Sequence, residues 1–217
     1  MVLPVSALTR LLLIRHGETE GAAASRFYGR SDVPLSSPGE RQMEALGRKL
    51  VDRPLAAVYA SDLRRSIRSA EILGRSHSLE PTVEPAFREI DMGRWEGLTW
   101  DEIHARDPKY AAHWLDGPGA TPFPDGESLA DFRARVIPAL ERILGAHREQ
   151  TIALVGHGGT NRLILCEAIG APSARFFAIA QDFSALNILD WYAGGSVLLV
   201  MNDTCHVGAP PRARSGG

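Results

Sequence analysis

Cysteine is scarce in this chain: Cys166 and Cys205 are the two among 217 residues. Two thiols so far apart build neither a zinc knuckle nor a disulfide framework, and the default expectation is a reducing, cytoplasmic setting. Lysine is equally rare, two against 22 Arg, and the net charge is −2 with no dense basic block, so neither nucleic acid nor a membrane surface is expected as a partner. No apolar run reaches the roughly 18 residues of a membrane span. The opening MVLPVSALTR lacks the charged and long apolar regions of an export signal. What is present is 44% apolar content, enough for one large core.

The chain is organised around Leu11 to Thr19. Four apolar residues, Leu11 to Ile14, run into Arg15-His16-Gly17, which reads as a fully buried strand opening into a loop at its carboxyl end. Open α/β sheets bind ligands at such mouths, so an imidazole placed there is a candidate for chemistry. Thr151 to Gly156 repeats the pattern: a buried run, then His157-Gly158-Gly159, then a helix from Thr160 to about Ile169 with Gly170 after its end. If the two strands are parallel neighbours, His16 and His157 converge, beside glycines that let a backbone approach a ligand and a helix N-terminus that attracts anions.

Between these strands the pattern is regular. Residues 18 to 36 form a long polar loop, and Ser37-Pro38-Gly39-Glu40 reads as a capping box opening a helix that carries Met43, Leu46 and Leu50. Leu55 to Ala60 reads as a second buried strand, and Ser61-Asp62 as the start of a second helix. Arg64, Arg65 and Arg68 crowd that helix's first turns, where the macrodipole disfavours cations and an anion would repair the mismatch; acidic neighbours such as Asp62 and Glu71 are the plainer alternative. Residues 82 to 98 read as a strand and loop with four acids, Glu84, Glu89, Asp91 and Glu96, among aromatics; any of these is a candidate general acid. Thr99 and Ser128 are expected to cap further helices, and Pro138 to kink the second of them; Ala185 to Tyr192 and Val197 to Asn202 form a hairpin at the sheet edge.

Two imidazoles, several guanidinium groups and a carboxylic acid are what phosphoryl transfer through a phosphohistidine needs. The chain from Leu11 to about Val207 also resembles the histidine phosphatase superfamily, called phosphoglycerate-mutase-like, through LIRHGET, SDLRRSIRSAEI, REIDMGRWEG, PDGESL and VGHGGT. The resemblance implies an α/β three-layer sandwich with a mostly parallel central sheet; one domain over 1–207 is expected, with a flexible start at 1–9, and the composition of 208–217 reads as a disordered tail. The resemblance also implies that His16 is the phosphorylated nucleophile, that Arg15, Arg65 and His157 form the phosphate pocket, and that Glu89 is the proton donor. Thr19, Tyr28, Gly29 and Gly158 join Arg15, Arg65 and His157 as substrate-binding positions. No cofactor and no metal is implied, the partner being a small phosphoester with inorganic phosphate as product; dimerisation is left open.

Within the superfamily the chain looks most like α-ribazole phosphatase and broad-specificity phosphatases, so hydrolysis of a small phosphorylated metabolite is expected, α-ribazole phosphate among the candidates. Phosphoglycerate mutase activity and a non-catalytic phospholigand-binding module are the alternatives. The last is motivated by a departure from pattern: where the family commonly reads RHGETxWN, this chain has Gly21 for the Trp and Ala22 for the Asn.

Overall fold

The computed structural model describes residues 8–116 and 121–208. Residues 1–7 and 209–217, expected as flexible start and disordered tail, lie outside these. Thr9, counted in that start, is instead buried in the first strand, its hydroxyl reaching the carbonyl oxygens of Leu144 and His147 at 3.1 and 3.0 Å.

A six-stranded sheet runs in the order β3-β2-β4-β1-β5-β6. Strands β1 (Thr9–Arg15), β2 (Ala57–Ala60), β3 (Thr82–Val83) and β4 (Thr151–Gly156) are parallel, and β5 (Leu186–Tyr192) and β6 (Gly195–Asp203) are antiparallel additions. The two central strands alternate between two cores, as a pleated strand buried on both faces must. Leu11, Leu13, Ile152 and Leu154 join one core, and Leu12, Ile14, Ala153 and Val155 the other. Helices α1 (Ser37–Leu50) and α2 (Arg64–Arg75) cover the second core with Met43, Leu46, Leu50, Ile72 and Leu73. On the opposite face α3 (Trp100–Arg106), α4 (Pro108–Asp116), α5 (Leu129–Ala146) and α6 (Gly158–Ile169) enclose the first, with Phe132, Leu140, Ile164 and an aromatic group around Trp95. The result is the three-layer α/β sandwich with a mostly parallel sheet. Among the described residues no helix is long and apolar enough to cross a membrane.

Several boundaries move, each for a local reason. The N-cap of α1 is Ser36, whose hydroxyl accepts from the Gly39 N–H, so Ser37 and Pro38 are already helical and Glu40 pairs with Arg68. Helix α2 begins at Arg64, because Ser61 is drawn into the site described below. The segment expected as a strand and loop over 82–98 keeps two strand residues and then makes two single 3-10 turns, Pro85–Phe87 and Gly93–Trp95. Helix α6 starts at Gly158, two residues early, with His157 as its N-cap residue and Gly170 left-handed at its end. Thr99 and Ser128 do cap α3 and α5 with reciprocal capping boxes. Pro138 leaves α5 continuous, and Ala134, whose carbonyl it deprives of a donor, is exposed to water.

Candidate active site

Strands β1 and β4 are parallel neighbours with Arg15 opposite Gly156, so the residues that follow both emerge at the carboxyl edge of the sheet. The His16 and His157 rings meet there with centroids 5.2 Å apart. His16 Nδ1 lies 2.7 Å from the Gly17 carbonyl oxygen. A carbonyl can only accept, so Nδ1 carries the proton and Nε2 keeps its lone pair. His157 has the opposite tautomer: its Nδ1 accepts from Arg65 Nε at 3.2 Å, and its Nε2–H therefore donates to Ser61 Oγ at 2.7 Å. Burial, and after it the Arg65 and Arg15 charges, hold His16 well below the usual imidazole pKa. Burial, Arg65 and His16 do the same for His157. Both rings are neutral as a consequence.

Arg65 is 1% exposed. Its Nη1 donates to Ser31 O at 2.6 Å and its Nη2 to Gly29 O at 2.7 Å, so it joins the long loop after β1 to His157. That loop is held in turn by Glu96, whose carboxylate accepts the N–H groups of Gly29, Arg30 and Ser31. Arg15 donates from Nη1 to Gln181 O at 2.6 Å and lies over the Phe183 ring, 4.1 Å from its centre. Of the four clustered acids only Glu89 reaches this centre. Glu84 pairs with Arg142, Asp91 with Arg30, and Glu96 holds the loop. Glu89 lies across the start of α6: Oε2 accepts the Gly159 N–H at 2.7 Å, and Oε1 those of Ile90 and Thr160. The other two arginines at the head of α2 are ordinary surface pairs, Arg64 with Asp32 and Arg68 with Glu40 and Glu71.

Arg15, His16, Thr19, Tyr28, Arg65, Glu89 and Gly158 all wall one cleft of about 370 Å³. His157 and Gly29 are buried behind it, His157 against the Arg65 guanidinium and Gly29 through its carbonyl to the same group. A nitrogen lone pair, two guanidinium groups, a helix N-terminus and a carboxyl group around one cleft are equipped to receive a phosphoryl group and protonate its leaving oxygen. Residues 11–204 match the model of the histidine phosphatase superfamily, branch 1.

The chain belongs to the histidine phosphatase superfamily. Phosphoserine phosphatase 1 of Hydrogenobacter thermophilus is 30% identical over 201 residues, covering 93% of this chain and 95% of that protein. The α-ribazole phosphatase of Shigella flexneri superposes with a TM-score of 0.81 at 27% identity, over 90% of this chain and 96% of its own. A mycobacterial glucosyl-3-phosphoglycerate phosphatase superposes equally well, TM-score 0.81 at 28% identity, over 90% of this chain and 99% of its own. By family and by these relatives this chain is a phosphatase enzyme.

Further parts of this histidine phosphatase's site carried no sequence signal that marks them as site residues, Ser61 being legible only as the expected start of a helix. Ser61 orients His157. Gln181, Asn161 and Asn187 form a buried amide network that fixes the carbonyl holding Arg15. Arg162, on the second turn of α6, and Phe183 wall the cleft. Arg162 lies four residues after Gly158 on the same helix, a spacing that brings both to the face that lines the cleft.

Proposed function

We propose that this enzyme hydrolyses phosphomonoesters without a metal ion, through a phosphohistidine formed on His16. The observation that carries the reading is the His16 tautomer: an imidazole held neutral, its Nδ1–H bound to the Gly17 carbonyl and its Nε2 lone pair available on a ring that walls a cationic cleft. Nε2 attacks phosphorus and the P–O bond to the alcohol breaks. Arg15, Arg65 and the start of α6 take up charge on the equatorial oxygens, with His157 holding Arg65 in place. Glu89 gives its proton to the departing alkoxide. Oε1 already accepts two N–H groups and Oε2 one, so Oε2 is the oxygen with a lone pair to exchange that proton. The Glu89 carboxylate then takes a proton from water, which attacks the phosphohistidine and releases inorganic phosphate.

Thr19 and Tyr28 are assigned to contact substrate from the cleft wall, and Gly29 to support Arg65 from behind. The substrates named for the relatives, phosphoserine, α-ribazole phosphate and glucosyl-3-phosphoglycerate, all pair a phosphate with a small organic body, and a small phosphorylated metabolite is the class assigned here. Mixing the protein with a phosphorus-labelled ester and quenching without acid is expected to leave label on the native chain and none on His16→Ala. Label surviving in that variant rules out His16, and phosphate binding with no turnover rules in a ligand-binding module instead.

A further inference from the structure

The phosphoryl site occupies the floor of the cleft, and the rest of its wall has a different chemistry. Phe176 and Phe177 stand edge to face, ring centres 4.9 Å apart, and Phe177 is braced at 5.1 Å by Trp114 yet remains 42% exposed. Phe123, Met92 and the half-buried Phe183 continue the same surface, and Ala22 faces it from the loop after β1. The cations on this wall are engaged with the protein: Arg26 donates to Gly97 O and pairs with Glu102, and Arg162 donates to Ile179 O. The two departures from the family's pattern fall on the same side. Gly21 is left-handed, φ 74°, and a Cβ there would lie 2.8 Å from the Tyr28 hydroxyl, so Tyr28 occupies room next to the backbone that a larger residue would need. Ala22 presents a methyl group where an amide would offer hydrogen bonds.

A rigid aromatic wall with an exposed ring at its rim, opening from a cleft of ligand size, is a surface that binding would cover. We infer that the outer cleft is a leaving-group subsite for an apolar, preferably aromatic, alcohol, so that the preferred substrates are phosphomonoesters of hydrophobic alcohols and not of small polyols or amino acids. The inference rests on the phosphatase reading and narrows its substrate class.

Propyl phosphate and 3-phenylpropyl phosphate separate binding from reactivity, because their alkoxides are similar in basicity while one carries a ring for the subsite. The native enzyme is expected to show kcat/KM at least about tenfold higher for the phenylpropyl ester, from burial of the ring. Phe177→Ala is expected to shrink that ratio at least about threefold, through KM. A ratio near one, or a ratio that Phe177→Ala leaves alone, overturns the subsite. Calorimetry with propylphosphonate and 3-phenylpropylphosphonate reads the same preference with no turnover required. Tenfold tighter binding of the phenylpropyl compound with neither ester hydrolysed would overturn the phosphatase reading and keep the subsite; equal binding would overturn the subsite whatever the turnover.

Discussion

At the residue scale, the site depends on a glycine that has no chemistry of its own. A Cβ on Gly159 would lie 2.2 Å from Glu89 Oε1 and 3.0 Å from its carboxyl carbon. Gly159 is helical, so alanine suits the backbone, and the atom in its way is the end of a flexible side chain. The structure thus predicts a fold that tolerates Gly159→Ala while the carboxyl group is displaced from the leaving oxygen. General acid catalysis contributes typically 10²–10⁴-fold, and its worth depends on the leaving group. For an alkyl phosphate, kcat/KM in Gly159→Ala, which reads the steps up to departure of the alcohol, should fall about 100-fold, whereas kcat/KM for p-nitrophenyl phosphate, whose phenolate leaves without a proton, should fall much less. The water attack that Glu89 also assists follows that departure and enters neither value. Equal losses on both substrates, with an unchanged circular dichroism spectrum, would show that Glu89 does not protonate the leaving group. His16 belongs to the same scale: the role proposed for it depends on one carbonyl fixing the tautomer, which no side-chain pattern announces.

At the element scale, the segment between β3 and α3 has little regular structure and is positioned from outside. Arg135, on α5, uses all five of its N–H groups to do this. Nε and one hydrogen of Nη2 hold Glu127, the two hydrogens of Nη1 reach the carbonyls of Ala86 and Arg88, and the second of Nη2 reaches the carbonyl of Glu89 itself. Lysine offers three donors from a point and no planar fork. Arg135→Lys is therefore expected to leave carbonyls unpaired, to cost about 2 kcal/mol of stability by urea denaturation and to lower kcat about tenfold by letting Glu89 drift. An unchanged kcat would mean that the Glu89 bonds to α6 suffice alone. This division also explains what the sequence could be read for. Strands β1 and β4 were legible because buried runs ending in His-Gly are contiguous, and α3 and α5 because a capping box is local. Glu89 could not be told from Glu84, Asp91 and Glu96 by spacing, since tertiary partners sort the four. Arg135 and Gln181 had no periodic or motif signal, and Ser61 was legible only as a helix start; all three act through bonds to partners far along the chain, which spacing does not show.

At the scale of the whole molecule, the site places a load on stability that pH exposes. Both histidines are buried and held neutral, well below the ordinary imidazole value of 6.5, first by loss of solvent and then by the guanidinium groups beside them. In the unfolded chain the same rings titrate normally. Above pH 6.5 neither state binds these protons and the two rings do not alter stability. As pH falls through 6.5 the unfolded chain takes up two protons that the folded one refuses, so stability drops and continues to drop until the folded rings titrate as well. Each ring contributes at most about 1.4 kcal/mol per pH unit in that window. Asp203, which burial would raise but Lys49 and the Cys205 N–H lower from 3.8 to about 2, loses its contribution only as pH falls through 3.8 toward about 2. In His157→Gln the amide can still donate to Ser61 and accept from Arg65, but it does not titrate. Urea unfolding at pH 8, 7, 6 and 5 should give a native stability that is level at the alkaline end and falls steeply below 6.5, and His157→Gln should be shallower by about 1.4 kcal/mol per pH unit. Because every other group is common to the two proteins, parallel curves would mean that His157 is not held neutral by the fold.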